Sequence, residues 1–167
     1  MNELPMRRKH PRLKGYDYDQ NGAYFITFCT KEKLKTLGRV VGRDAPGAPL
    51  VELTDFGEAV RKEIEETHTH YDGVTVDKFV VMPNHVHMIV LINCDGRTPG
   101  ASHPTNALIP RIVTMIKKKT NRALGSDNWQ RSFHDHIIRD EAEYLRVWQY
   151  IDGNPVLWFE DRYFVPD

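Results

Sequence analysis

The 167-residue chain is poor in the features that would place it in several large classes. It has two cysteines, Cys29 and Cys94, too few for a disulfide framework or a four-cysteine zinc site, so both read as reduced thiols of a cytoplasmic protein. No apolar run approaches the roughly 18 residues needed to span a membrane. The first residues, Met1 to Lys14, are basic with no apolar stretch behind them and do not read as a signal peptide. No internal repeat and no Gly-rich phosphate loop of Walker type is present. Net charge is also missing, with 23 Lys and Arg against 23 Asp and Glu, so the chain is not coated in basic residues.

The charges that are present are segregated. Arg7, Arg8, Lys9, Arg12 and Lys14 form a basic N-terminal arm over residues 1–14, and Gly96 to Ser126 holds Arg97, Arg111, Lys117, Lys118, Lys119 and Arg122 without one acid. Two basic segments on a neutral chain suggest a polyanion held at one face; a solvated helix face and a charged tail would give the same pattern. The length suits one domain, 1–167, able to bury a core without staples.

Ala23–Thr30 is aromatic and β-branched and reads as a strand, with Thr36–Val41 as its hairpin partner. Gly42–Pro49 is a loop by its Gly and Pro content. Thr54–His70 reads as a helix capped by Thr54 or Asp55, with Phe56, Val60 and Ile64 at four-residue spacing. Gly73–Met82 and His85–Ile92 read as strands around a Pro83-Asn84 break, and residues 93–105 as a flexible loop rich in Gly, Pro and Ser. A helix is expected over Asn106–Leu124, a short strand over Ser132–Ile138, and a helix capped by Asp140 with Leu145, Trp148 and Ile151 facing the core. Strands and helices without regular alternation favour an α+β sandwich.

Chemistry concentrates in Phe79–Ile92, FVVMPNHVHMIVLI. Spacing two on a strand projects His85 and His87 on one face. Burying two imidazoles there is costly unless hydrogen bonds or a shared divalent ion satisfy them, and both readings are open. The pair His68/His70 ends a helix, where spacing two does not align side chains, and reads as solvated. His134/His136 has polar neighbours, so a DNA contact or a structural hydrogen bond is as reasonable as a metal. Downstream, Tyr150 and Asn154 are one helical turn apart. A tyrosine hydroxyl, with a pKa near about 10, attacks a phosphodiester only if the phosphate charge is withdrawn and the phosphorus held in line. Asn154 could supply a third oxygen ligand; alternatively Tyr150 is a core aromatic and Asn154 a helix stop. Tyr144 on the same helix is a second hydroxyl.

His85-Val86-His87 resembles the histidine–hydrophobe–histidine (HUH) motif of single-tyrosine transposases and rolling-circle nucleases, and VVMPNHVHMIV resembles its form in the REP-associated tyrosine transposases of the insertion-sequence-200-like superfamily. Gly22–Thr27, Trp129–Phe133, Asp135-His136 with Ile138–Glu141, Tyr150-Ile151 with Asn154-Pro155, and Trp158 with Asp161 resemble further blocks of that family in order, covering about Gly15 to Tyr163. The resemblance implies a ferredoxin-like antiparallel sheet with helices packed mainly on one face and the HUH motif on a central strand. It implies His85, His87 and Asn154 as ligands of Mg2+ or Mn2+, and Tyr150 as nucleophile, with His85 and His87 catalytic through the metal. The substrate implied is single-stranded DNA with a palindromic hairpin, nicked and rejoined through a 5′-phosphotyrosine by a monomer or homodimer. DNA contacts are expected from Arg7, Arg8, Arg12, Lys14, Arg111, Lys117, Lys118, Lys119, Arg122, Trp129 and Arg131, with Tyr16 and Tyr18 as further stacking candidates. The alternative function is a catalytically inactive regulator that binds hairpin nucleic acid; a replication or conjugation nuclease with the same chemistry is a third reading.

Overall fold

A computed structural model describes residues 22–42, 49–93 and 108–166. Its main sheet is built from four strands: β1 (Gly22–Cys29), β4 (Val74–Met82), β5 (His85–Ile92) and β6 (His134–Ile138). Their spatial order is β4-β5-β1-β6, with every neighbouring pair antiparallel. With α1 (Asp55–Glu65) between β1 and β4 and α3 (Leu108–Leu124) between β5 and β6, the succession is βαββαβ, the ferredoxin-like arrangement. The histidine motif therefore lies on a central strand, as the resemblance implied. A second, two-stranded sheet pairs β2 (Gly38–Val41) with β3 (Leu50–Leu53).

That second sheet corrects the expected hairpin. The segment predicted to pair with β1 pairs instead with Leu50–Leu53, a stretch not foreseen as a strand. Both edges of β1 are already taken, by β5 and β6.

Alternation along the strands separates two cores. Tyr24, Ile26 and Phe28 of β1 with Val86, Met88 and Val90 of β5 face one way and pack on α1 and α3 through Phe56, Val60, Ile64, Ile109, Ile112 and Ile116. Phe25, Ile89 and Ile138 face the other way and meet Val147 and Ile151 of α4 (Glu141–Gly153). Two of the three long helices thus share a face, and α4, with Trp158 and Tyr163 beyond it, packs on the other.

Local chemistry fixes the helix starts. Thr54 caps α1, its hydroxyl accepting from the Gly57 N–H at 3.2 Å while donating to the Thr36 carbonyl at 2.7 Å. Asp140 caps α4 through the Glu143 N–H at 2.8 Å. The helix expected to reach His70 is broken at Glu66 into α1 and a short α2 (Thr67–His70). On α4 the inward stripe is Tyr144, Val147, Trp148 and Ile151; Leu145, expected to face the core, is 51% exposed. No helix among the described residues is long and apolar enough to cross a membrane.

Candidate active site

His85 and His87 lie on the α4-facing side of β5, fully buried, with ring centroids 4.5 Å apart. Hydrogen bonds orient both rings and set the tautomer of His85. Asn84 donates its amide N–H to the carbonyls of Lys33 (3.2 Å) and Tyr163 (2.9 Å), which leaves Asn84 Oδ1 as an acceptor. His85 Nδ1 is 2.8 Å from that oxygen and must be the protonated nitrogen. His85 Nε2 therefore carries a lone pair, and it is buried without a hydrogen-bond partner. His87 Nδ1 contacts Thr27 Oγ1 at 2.7 Å, on the residue directly across the β1–β5 ladder, which turns His87 Nε2 the same way. Burial holds the His85 pKa down to about 4, and Asp161 only partly offsets this. Burial, with His85 alongside, holds His87 well below the usual histidine range. Neutral imidazoles with an orientated lone pair are the form that binds a metal.

The end of α4 delivers the remaining groups. Gly153 does not interrupt the helix, and Asn154 keeps helical dihedrals, so it follows Tyr150 by one full turn. The Tyr150 hydroxyl stands 3.2 Å from His87 Nε2 and donates to Asp161 Oδ2 at 2.9 Å. Asn154 is buried and donates its amide N–H to the same carboxylate oxygen at 2.8 Å. Its Oδ1 is a second buried polar atom without a partner. Asp161 Oδ1 accepts from the Tyr163 N–H at 2.6 Å. With three hydrogen bonds the Asp161 carboxylate has most of its lone pairs engaged, so it is better placed to orient Asn154 and Tyr150 than to bind an ion itself.

This donor set fits a divalent cation. Donor atoms of His85, His87 and Asp161 lie within 4.8 Å of one another, and the two orphaned lone pairs, His85 Nε2 and Asn154 Oδ1, are what a metal would satisfy. Two imidazoles with oxygen ligands suit Mg2+ poorly as a closed cage and suit an open site completed by water or phosphate well. Burial, then the Asp161 charge, push the Tyr150 hydroxyl far above its ordinary pKa. Tyr144 is elsewhere, its hydroxyl hydrogen-bonded to Asp77 at the β4 bulge.

The expected DNA contacts are scattered. Trp129 is a core residue rather than a stacking platform: it is 4% exposed, packs on Phe28 and Phe56, and donates its indole N–H to Thr120. Lys117 is turned inward, donating to the carbonyls of Gln130 (2.7 Å) and Ser132 (3.0 Å), and burial lowers its pKa to about 8. Lys119 pairs with Glu63 at 2.8 Å. Arg111, Lys118 and Arg122 are exposed on α3, whose buried residues pack on the sheet face opposite the histidines. Arg131 is exposed before β6. Arg7, Arg8, Arg12, Lys14, Tyr16, Tyr18, Cys94 and most of the 93–105 loop lie outside the described residues. Among the remaining histidines, His68 and His70 are exposed, as expected, and His136 Nε2 is hydrogen-bonded to a Glu143 carboxylate oxygen at 2.5 Å. Sequence reasoning assigned no role to Asn84, Thr27 and Asp161; the only signal for Asp161 was its place after the tyrosine motif.

Comparison with known proteins supports the fold. No family model matches the chain. It is 34% identical over 176 aligned residues to an uncharacterized protein of Haemophilus influenzae, covering 95% of this chain and 93% of that one. A second Haemophilus influenzae protein, named "Putative REP-associated tyrosine transposase", is 26% identical over 145 residues, covering 84% of this chain and 73% of its own length. The solved structure of a REP-associated tyrosine transposase bound to a REP hairpin has the same fold, with a TM-score of 0.58 at 22% identity over 92% of this chain and 73% of that one.

Proposed function

We propose that this chain is a REP-associated tyrosine transposase, like the relatives it resembles, and that it nicks and rejoins single-stranded DNA beside palindromic hairpins through a phosphotyrosine formed on Tyr150. One observation carries the reading: the Tyr150 hydroxyl sits 3.2 Å from His87 Nε2, beside two buried lone pairs that nothing among the described residues satisfies. A site built only for stability would not leave His85 Nε2 and Asn154 Oδ1 unpaired.

His85 and His87 through Nε2, and Asn154 through Oδ1, would hold Mg2+ or Mn2+, which supplies charge neutralisation at a non-bridging phosphate oxygen. The protein's own residues do the rest. Tyr150 Oη forms a bond to phosphorus as the bond from phosphorus to the 3′ oxygen breaks. The tyrosine proton, directed at Asp161 in the resting geometry, balances the charge of the departing 3′ oxygen, which leaves as a hydroxyl. A second 3′-hydroxyl attacking the 5′-phosphotyrosine reverses the step and joins new ends without ATP. Asp161 holds both the nucleophile and the Asn154 amide, so it is a positioning residue. Hairpin recognition is proposed from the family, in which a relative has been solved bound to a REP hairpin.

The test is covalent capture. The protein is mixed with labelled single-stranded hairpin DNA from the flanks of its gene, with Mn2+ or Mg2+, and run on a denaturing gel. A metal-dependent adduct is expected in the wild type and in Tyr144→Phe, and its loss in Tyr150→Phe and His85→Ala. Hairpin binding with no adduct in any protein would instead identify a binding regulator.

A further inference from the structure

Among the described residues, the basic side chains expected to grip DNA lie largely away from the histidine pair, yet other cations stand close to it. Lys33 Nζ stands 5.4 Å from the centre of the Tyr163 ring, and Arg162 Cζ 4.8 Å from the same centre. That ring packs on His85 at 4.6 Å and on His87 at 5.5 Å. Both cations are thus one aromatic ring away from the imidazoles, close enough to oppose protonation of His85. Among the described residues, neither Lys33 nor Arg162 forms an ion pair with a carboxylate.

Lys33 is held there by an unusual backbone. Glu32 and Lys33 have φ of 54° and 55°, two successive non-glycine residues in the left-handed region, a conformation that persists only when its surroundings impose it. Thr30 Oγ1 donates to the Leu34 carbonyl at 2.7 Å, and Asn84 donates to the Lys33 carbonyl at 3.2 Å. Asn84 is the residue that sets the His85 tautomer, so one side chain couples the turn to the histidine.

An aromatic path leads outward from the same place. Trp158 stacks near His85 at 5.9 Å, Phe164 meets Trp158 at 5.3 Å, and Phe159 meets Phe164 at 5.2 Å. Exposure rises along it, from Trp158 at 3% to Phe159 at 45%. Lys35 Nζ stands 5.3 Å over Phe164. Cations that track a backbone, interleaved with aromatic faces on which bases stack, are the recognition chemistry of unpaired nucleic acid.

We infer that Lys33, Lys35 and Arg162, with Phe159 and Phe164, form the cradle for the single-stranded DNA that enters the site, the cations on phosphates flanking the scissile one and Phe159 under an unpaired base. The cradle deepens the strand-transfer reading and rests on it for the strand's destination at Tyr150. Its test needs no chemistry. Binding of the full chain to labelled oligothymidylate, which has no hairpin, is followed by fluorescence anisotropy in chelator over a salt series. Phe159→Ala should weaken binding on the order of tenfold, and Phe159→Tyr should retain it. Lys33→Gln and Arg162→Gln should each weaken binding and lower the slope of log affinity against log salt by about 0.7, as one lost phosphate contact does on a single strand. Lys62→Gln, exposed on α1 across the sheet from the histidines, should match the wild type, and unchanged thermal midpoints exclude unfolding as the cause. The inference is overturned if the wild type does not bind, if Phe159→Ala binds as tightly, or if the slope falls in Lys62→Gln and not in Lys33→Gln. Adduct formation is scored separately, so loss of the cradle and loss of the chemistry are distinguishable.

Discussion

Two neutral imidazoles locked in the core make the fold sensitive to mild acid. In the unfolded chain a histidine titrates near 6.5; in the fold His85 is held near about 4, chiefly because burial penalises its cation. The sign follows directly. Below 6.5 the unfolded chain takes up a proton that the folded chain refuses, so stability is complete above that value and drains away as pH falls toward 4. At about 1.4 kcal/mol per pH unit the gap is worth about 3 kcal/mol when fully expressed and about 2 kcal/mol at about pH 5. His85 is fully buried, so water does not screen this cost, and burial shifts His87 in the same direction. Against a typical total of about 5–15 kcal/mol this is a large loss. Urea unfolding in chelator, followed by tryptophan fluorescence at steps from about pH 7 to about pH 5, stays above the range where most carboxylates titrate. His85→Gln should be less stable at neutral pH yet flatter across the window. Wild-type stability that does not fall between those two values, or equal slopes in both proteins, would refute the reasoning. Saturating Mn2+ should instead raise the wild-type curve without flattening it, because an ion bound only to the folded state at about a hundredfold above its Kd adds about 2.7 kcal/mol and leaves the unfolded chain's proton uptake in place.

Other expectations follow from single contacts. Asp161→Asn removes the acceptor that orients Asn154 and Tyr150 and should weaken Mn2+ affinity about 10- to 100-fold by electron paramagnetic resonance of the free ion; unchanged affinity would mean that the Asn154 amide needs no orientation. At Gly57 an added Cβ would lie 2.0 Å from the Leu37 carbonyl oxygen, so Gly57→Ala should cost about 3 kcal/mol or more in thermal unfolding, and an unchanged midpoint rejects that packing. Val147 is 7% exposed and Leu145 51%. Val147→Ala should therefore destabilise by about 2 kcal/mol and Leu145→Ala by no more than about 0.5 kcal/mol; the reverse order would place the wrong face of α4 against the sheet.

The parts of the site carried by one strand or one helix were legible in the sequence, because period two and period 3.6 are local properties. His85 and His87 in an apolar run, and Tyr150 with Asn154 one turn apart, needed only those periods. What crosses between elements was not legible. Thr36–Val41 reads as the partner of β1 because a neighbouring segment is the usual partner, but long-range strands claim both edges of β1. Lys117, Lys118 and Lys119 are one basic run in sequence, yet about 100° apart on a helix, so the first lies along the core, the second faces solvent and the third meets Glu63. Trp129 sits in a polar stretch, and only the Thr120 hydroxyl within reach of its indole shows why it is buried. On α4, the spacing of Leu145, Trp148 and Ile151 fits a helix face as well as the observed Tyr144, Val147, Trp148 and Ile151 does; the sheet chooses between them.

Three segments assemble the site, and they do not depend on the fold equally. The histidines belong to a central strand, pinned on both edges and packed from both faces. Tyr150 and Asn154 belong to a helix held by the smaller core, whose buried members are Phe25, Ile89, Ile138, Val147 and Ile151. Asp161 and Tyr163 follow that helix and are tied back by the Tyr150, Asn154 and Asn84 hydrogen bonds. Because Tyr150 and Asn154, the proposed nucleophile and proposed third ligand, share one helix turn, displacing α4 would remove both at once and leave the two histidines without that oxygen. Metal affinity and nucleophile placement should therefore be coupled through the docking of α4: a substitution at Val147, a buried member of that core with no proposed chemical role, should weaken Mn2+ binding and adduct formation together, whereas Tyr150→Phe should abolish the adduct and leave most of the metal affinity in place.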